Sequence, residues 1–290
     1  MRRVFLISAL LCAATAASAQ DSAPSADGPA VLPGATSGPA DPGIASAADC
    51  EAAIKSGPAQ AREKAALWYR LGGGTEARLC EAAALEAMGA DATAAQLLTG
   101  VAQNPNRAMD LNLRATTYED AARLWLRLDR PDLARDALLS ANRLTDPTAA
   151  RFVDLARAQA GLEDWTAARD ALDQALALDP DDAMAIALRA ATLRHLGDTP
   201  GALAEARRAL ALSPDQPEAL FEEAAALATT GDTGAAEAAW MRLITTHPDS
   251  DLAAPARRNL QRLSEAASEP TPRPPEQPGP RPRPAVPPRG

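Results

Sequence analysis

The chain has 290 residues, 29 of them Lys or Arg and 38 Asp or Glu, for a formal net charge of −9. Alanine supplies 72 residues and aromatics only 3%; alanine is the best helix former and a poor strand former, so an all-β fold is excluded. Two lysines and an acidic balance argue against a general nucleic-acid binder.

From the N-terminus, residues 1–19 read as an export signal peptide. Arg2 and Arg3 give the positive start, Val4 to Ala14 the apolar stretch, and Ala17-Ser18-Ala19 the small-residue cleavage site. The apolar stretch is shorter than the ~20 residues that span a bilayer; an uncleaved anchor helix is the alternative. Cys12 fits a lipidation motif poorly, because Leu11 stands where a small residue is expected. No later segment is long and apolar enough to cross a membrane. The expectation is a periplasmic protein, and the excess of Arg over Lys with the alanine load points to a GC-rich bacterium.

Residues 20–44, rich in Pro, Gly, Ser and Ala, bury too little apolar surface to offset chain entropy and read as a disordered leader. Residues 45–114 form an N-terminal helical extension. Its helices are expected at Ala48–Lys55, Ala59–Leu71, Glu76–Met88 and Ala92–Gln103, with Gly72-Gly73-Gly74 separating the second from the third. The pair 76–103 is a candidate degenerate repeat, turning at Gly89-Ala90-Asp91. Once the signal is removed, Cys50 and Cys80 remain. An even count in an exported chain suggests a disulfide, closing a loop of ~31 residues; two buried thiols are the alternative.

Beyond residue 114 a period of 34 appears. Pro180, Pro214 and Pro248 share that spacing, while one period earlier the proline slips to Pro147. Three further series keep the phase: Ala122, Ala156, Ala190, Ala224; then Ala134, Ala168, Ala202, Ala236; then Ala141, Ala175, Ala209, Leu243. Each unit holds a first helix, a short turn and a second helix stopped by proline. Gly197 and Gly231 suit a left-handed helix end, and Asp198 and Asp232 the cap of the next helix. Facing alanines let two helix axes approach closely. So small a unit cannot bury its own apolar face, and the units stack into a solenoid.

These residues resemble the tetratricopeptide repeat (TPR) family over 115–148, 149–182, 183–216 and 217–250. Tyr118, Phe152, Ile186 and Leu220 hold the place of the family's large residue in the first helix. Leu138, Leu172, Ala206 and Trp240 hold that of the second. Ala206 is undersized, and the turn glycine is missing from the first two units. Residues 251–267 look like the capping helix. The resemblance implies an all-α fold, a right-handed helix-turn-helix solenoid with disordered termini. It also implies a groove along the first helices for a peptide or partner protein. By analogy Glu119, Arg123, Leu126 and Arg127 line the first unit, Val153 and Arg157 the second, and Ala187, Ala191 and Arg194 the third. Phe221, Ala225 and Ala228 line the fourth. Arg123, Arg157 and Arg194 would form a basic stripe suited to an anionic partner, with Phe221 as apolar anchor. The alternative for each arginine is a local pair, Glu119–Arg123 or Asp154–Arg157.

Enzyme chemistry has little support. His195 and His247 lie 52 residues apart, and no metal-ligand spacing, haem motif or phosphate loop appears. No catalytic residue, metal or cofactor is expected. The tail, residues 268–290, holds ten Pro and four Arg and reads as disordered, largely polyproline II; it is a spacer or a ligand for another protein or the cell wall. The function expected is a non-catalytic periplasmic scaffold. The alternative is a structural subunit or assembly factor of a cell-envelope machine, for outer-membrane or cytochrome biogenesis.

Overall fold

The structure, a computed structural model, describes residues 42–104 and 109–268. The expected signal peptide, all but the last three residues of the expected leader, and the tail beyond 268 lie outside the described residues. The elements are α1 (Ala47–Ser56), α2 (Pro58–Trp68), a π-helical turn (Tyr69–Gly73), α3 (Gly74–Ala87), α4 (Asp91–Gln103), α5 (Leu111–Arg127), α6 (Pro131–Asn142), α7 (Ala149–Gly161), α8 (Trp165–Leu178), α9 (Ala183–His195), α10 (Thr199–Leu212), α11 (Pro217–Thr230), α12 (Thr233–Thr246) and α13 (Ala253–Ser268). Among the described residues there is no strand.

Each helix packs on the next in chain order, and α5, α7, α9 and α11 also touch in sequence. The first helices therefore form one continuous face. All twelve positions of the three period-34 series are buried, none exceeding 2% exposure. Tyr118, Phe152, Ile186, Leu220, Leu138, Leu172, Ala206 and Trp240 are buried with them. Alanine at the closest approach of two helices and one large residue beside it account for the contacts a unit makes with its neighbours. Gly161 marks the tightest approach, since a Cβ there would stand 2.9 Å from Pro131 Cβ.

The turns inside the units share one hydrogen-bond pattern. Asp164, Asp198 and Asp232 donate backbone N–H to Gln159, Leu193 and Leu227 carbonyls five residues back, at 2.9–3.0 Å. Arg130 does the same to Trp125 and Ala90 to Leu85, both at 2.9 Å. This bond is the long one of the Schellman helix end, which needs a left-handed residue just before it. Gly197 and Gly231 supply it at φ 87°, and Gly89 at 74°. Where glycine is missing, Asp129 and Glu163 are forced into the same region at φ 53° and 60°. Asp164, Asp198 and Asp232 then cap the second helices, each accepting from the N–H three residues on. In α6 Arg130 stands at that place without capping the helix through its side chain, and Pro131 opens the helix instead.

The N-terminal helices differ from expectation in one detail. The second and third are parted by a kink at the expected glycines, where Gly72 and Gly74 stand at φ 97° and 57°. Ile44, the last residue of the expected leader, is 1% exposed and packs with Cys50, Ala65 and Cys80. Cys50 of α1 and Cys80 of α3 form a disulfide with Cα atoms 5.8 Å apart. It ties the outermost helix across α2, where little core is available to do so.

Candidate partner groove

The face built by α5, α7, α9 and α11 carries the candidate groove residues. Val153 and Ala187 are corrections to the expected lining: both are buried, because the first helices also pack on one another. Leu126, Ala191, Phe221, Ala225 and Ala228 are half-buried, and Arg123, Arg127 and Arg157 are exposed.

Each arginine of the expected stripe has a carboxylate partner. Arg123 pairs with Asp120, one turn back on α5, and not with Glu119. Glu119 instead accepts from Arg151 of α7 at 2.7 Å. Arg151 is 4% exposed and also bonds Thr145 and Asn142. Arg157 pairs with Asp154 at 3.4 Å, the local alternative on α7. Arg127 reaches across to Glu86 at 2.8 Å and Asp91 at 3.1 Å, joining α5 to α3 and α4. Arg194 of α9 holds the buried Glu222 of α11 through two bonds of 2.6 and 3.2 Å. Arg194 is thus a clamp between units, whereas Arg123, Arg127 and Arg157 keep much of their guanidinium surface in solvent. Sequence reasoning missed the Arg151–Glu119 and Arg194–Glu222 clamps. Their partners lie 32 and 28 residues away, near the repeat length, and that spacing was the available signal.

Two groove carboxylates are held above the usual aspartate range. Burial raises Asp120, with Arg123 pulling it back and Glu119 and Glu86 adding to the rise. Burial raises Asp154 too, opposed by Arg157 and Arg123. Arg123 therefore acts on carboxylates of both α5 and α7, and the charges form a ladder and not a purely basic stripe.

His195 stacks on Trp165 with ring centroids 3.8 Å apart. Burial and Arg194 lower its pKa. His247 meets the Asp215 carbonyl at 2.6 Å. Among the described residues no group of three His, Cys, Asp or Glu is placed to hold a metal, and no helix is long and apolar enough to cross a membrane. Two hollows of about 380 and 590 Å³ flank α4 and share Gln96 and Gly100.

A tetratricopeptide repeat sequence model matches residues 153–217 and 192–251. Over residues 153–251 the chain is therefore built of tetratricopeptide repeats. Its TPR units share their fold with several solved structures. One is the Cut9–Hcn1 hetero-tetramer of the APC/C, at TM-score 0.56 and 16% identity, covering 75% of this chain and 42% of that one. A second is the C-terminal part of a TPR repeat-containing protein from Cytophaga hutchinsonii, at TM-score 0.52 and 16% identity, covering 70% and 82%. A third is a thermophilic TPR protein of Thermus thermophilus, at TM-score 0.50 and 21% identity, covering 66% and 99%. No curated protein matches the chain significantly. TPR arrays are protein-interaction modules that present an extended face to their partners.

Proposed function

We propose that the protein is a non-catalytic scaffold of the bacterial periplasm that binds a peptide or partner segment on its first-helix face. The observation that carries this reading is the ladder of exposed, paired arginines across α5 and α7, continued by half-buried Phe221 and small residues on α11. Arg123 and Arg157 each keep about half of the side chain exposed, at 56% and 41%. A partner carboxylate can therefore share them with Asp120 and Asp154. Asp154 releases part of that claim readily, because its carboxylate is only 18% exposed and burial disfavours its charge. An anionic partner thus binds by exchanging ion pairs. The signal-like pattern of residues 1–19 and the Cys50–Cys80 disulfide support the periplasmic setting.

The test is cross-linking of the exported protein followed by capture. Discrete stoichiometric partners mark a machine subunit, and short peptides mark a groove scaffold. Binding is then compared with the Arg123→Gln/Arg127→Gln/Arg157→Gln variant, which leaves the Arg194 and Arg151 clamps intact. Charge-assisted contacts of ~1.5–3 kcal/mol each when desolvated make a loss beyond tenfold the expected result. Unchanged affinity and unchanged salt dependence would place binding elsewhere.

A further inference from the structure

The ends of the second helices form an edge whose composition the groove does not explain. Leu178 and Leu212 are the last residues of α8 and α10 and stand 34 apart. They are 58% and 45% exposed. Acidic residues follow each of them. Asp181, Asp215 and Asp249 keep the 34 spacing, with Asp179 and Asp251 beside them, and all five are exposed. Asp179, Asp181, Asp249 and Asp251 have no ion-pair partner among the described residues. The C-terminal ends of α8, α10 and α12 add their carbonyl dipoles at the same edge. Cations already turn toward it: Arg208 donates to the Pro180 carbonyl at 2.5 Å, and Arg242 to Asp215 at 2.9 Å. The edge therefore carries two exposed leucines, each followed by exposed aspartates, four of which have no ion-pair partner among the described residues.

We propose that this edge is the docking surface for the end of the chain's own Pro/Arg-rich tail, residues 277–289. The tail has the complementary chemistry. Its last six prolines supply flat apolar rings for Leu178 and Leu212, and Arg281, Arg283 and Arg289 supply charges for the aspartates. A polyproline II segment has little conformational freedom to lose on docking. The lengths close. Helix α13 starts beside Asp251 and carries the chain ~24 Å away over its 16 residues. The 22 residues that follow Ser268 reach ~68 Å at ~3.1 Å each. Returning ~24 Å leaves ~44 Å, and the two steps from Asp249 to Asp181 need only ~20 Å at the ~10 Å spacing of packed helices. Arg257, Arg258 and Arg262 line the exposed side of α13 without ion-pair partners among the described residues. They compete for no carboxylate on the edge and leave it open for the tail. This surface lies apart from the first-helix face, so its fate does not depend on the groove reading.

The test uses the full mature chain with a photo-reactive phenylalanine analogue at position 212, where the native leucine is exposed. Cross-links are mapped by mass spectrometry in low and 0.5 M salt. The expected result is an intrachain product joined to residues 277–289 that falls at least fivefold in high salt. It should fall similarly in the Asp179→Asn/Asp181→Asn/Asp249→Asn/Asp251→Asn variant, whose circular dichroism and melting point report that it is folded. Cross-links that miss the tail, a product joined to a second copy, or a yield indifferent to salt and to the aspartates would overturn the proposal.

Discussion

Glu163→Gly tests the turn geometry with a change that creates no new contact. Glu163 sits at φ 60°, in the place that glycine occupies at φ 87° in the two later units. A non-glycine residue in the left-handed region costs roughly 1–2 kcal/mol, and glycine returns roughly 0.5–1 kcal/mol of that through the freer unfolded chain. The Glu163 side chain is exposed, and its influence is limited to a weak upward pull on His195. The net expectation is a stabilisation of about 0.5–1 kcal/mol. For an array of this size that is a rise of about 1–4 °C in melting temperature, read more directly from the urea midpoint at unchanged slope. Gly197→Ala and Gly231→Ala should move the other way by about 1–2 kcal/mol. Asp129→Gly should gain less than Glu163→Gly, because aspartate tolerates the left-handed region better. If Glu163→Gly destabilises while Gly231→Ala is neutral, the shared Schellman geometry is wrong and the turns must differ between units.

Arg151→Ala strips the buried Glu119 clamp and its bonds to Thr145 and Asn142; removing one partner of a buried pair should cost about 3 kcal/mol in urea unfolding, whereas Arg130→Ala, on the exposed pair with Asp132, should leave the urea midpoint almost unmoved. The double variant Cys50→Ser/Cys80→Ser should lose about 3–4 kcal/mol in the chain-entropy model, with hydrogen exchange accelerated in α1 to α3 and unchanged in α9 to α12. Two alkylatable thiols in the native protein would contradict the pairing itself. Asp154 takes up its proton in the folded state above the usual 3.8. Its contribution to stability is therefore unfavourable at neutral pH and improves as pH falls through the raised value. Wild type should gain on Asp154→Asn as pH drops from 7 toward 4, and a gain in the opposite direction would reverse the assigned cause. Over the same window groove charge becomes more positive, so binding of an acidic peptide should tighten, checked by titration calorimetry at pH 7 and 5.

The period of 34 and the alanine series were sufficient to place helices, turns and buried positions, because helix packing at short range depends on side-chain size repeated at fixed spacing. Ala122 to Ala224 and Ala134 to Ala236 are buried for that reason, and the caps at Asp198 and Asp232 follow from bonds three residues long. What the linear pattern left open is decided by groups that are distant in sequence. Whether Arg123 pairs with Glu119 or Asp120 depends on Arg151, which comes from the next unit and takes Glu119 first. Arg194 reads as a groove residue until stacking brings Glu222 of α11 against it. Val153 and Ala187 share helices with surface residues, and only contact between successive first helices buries them. Asp129 and Glu163 carry no local signal for a left-handed turn; the flanking helices, fixed by their own cores, impose it. Local spacing determines the repeat, and charge pairing and backbone strain are settled when the repeats stack, since Coulomb and steric terms act through space and not along the chain.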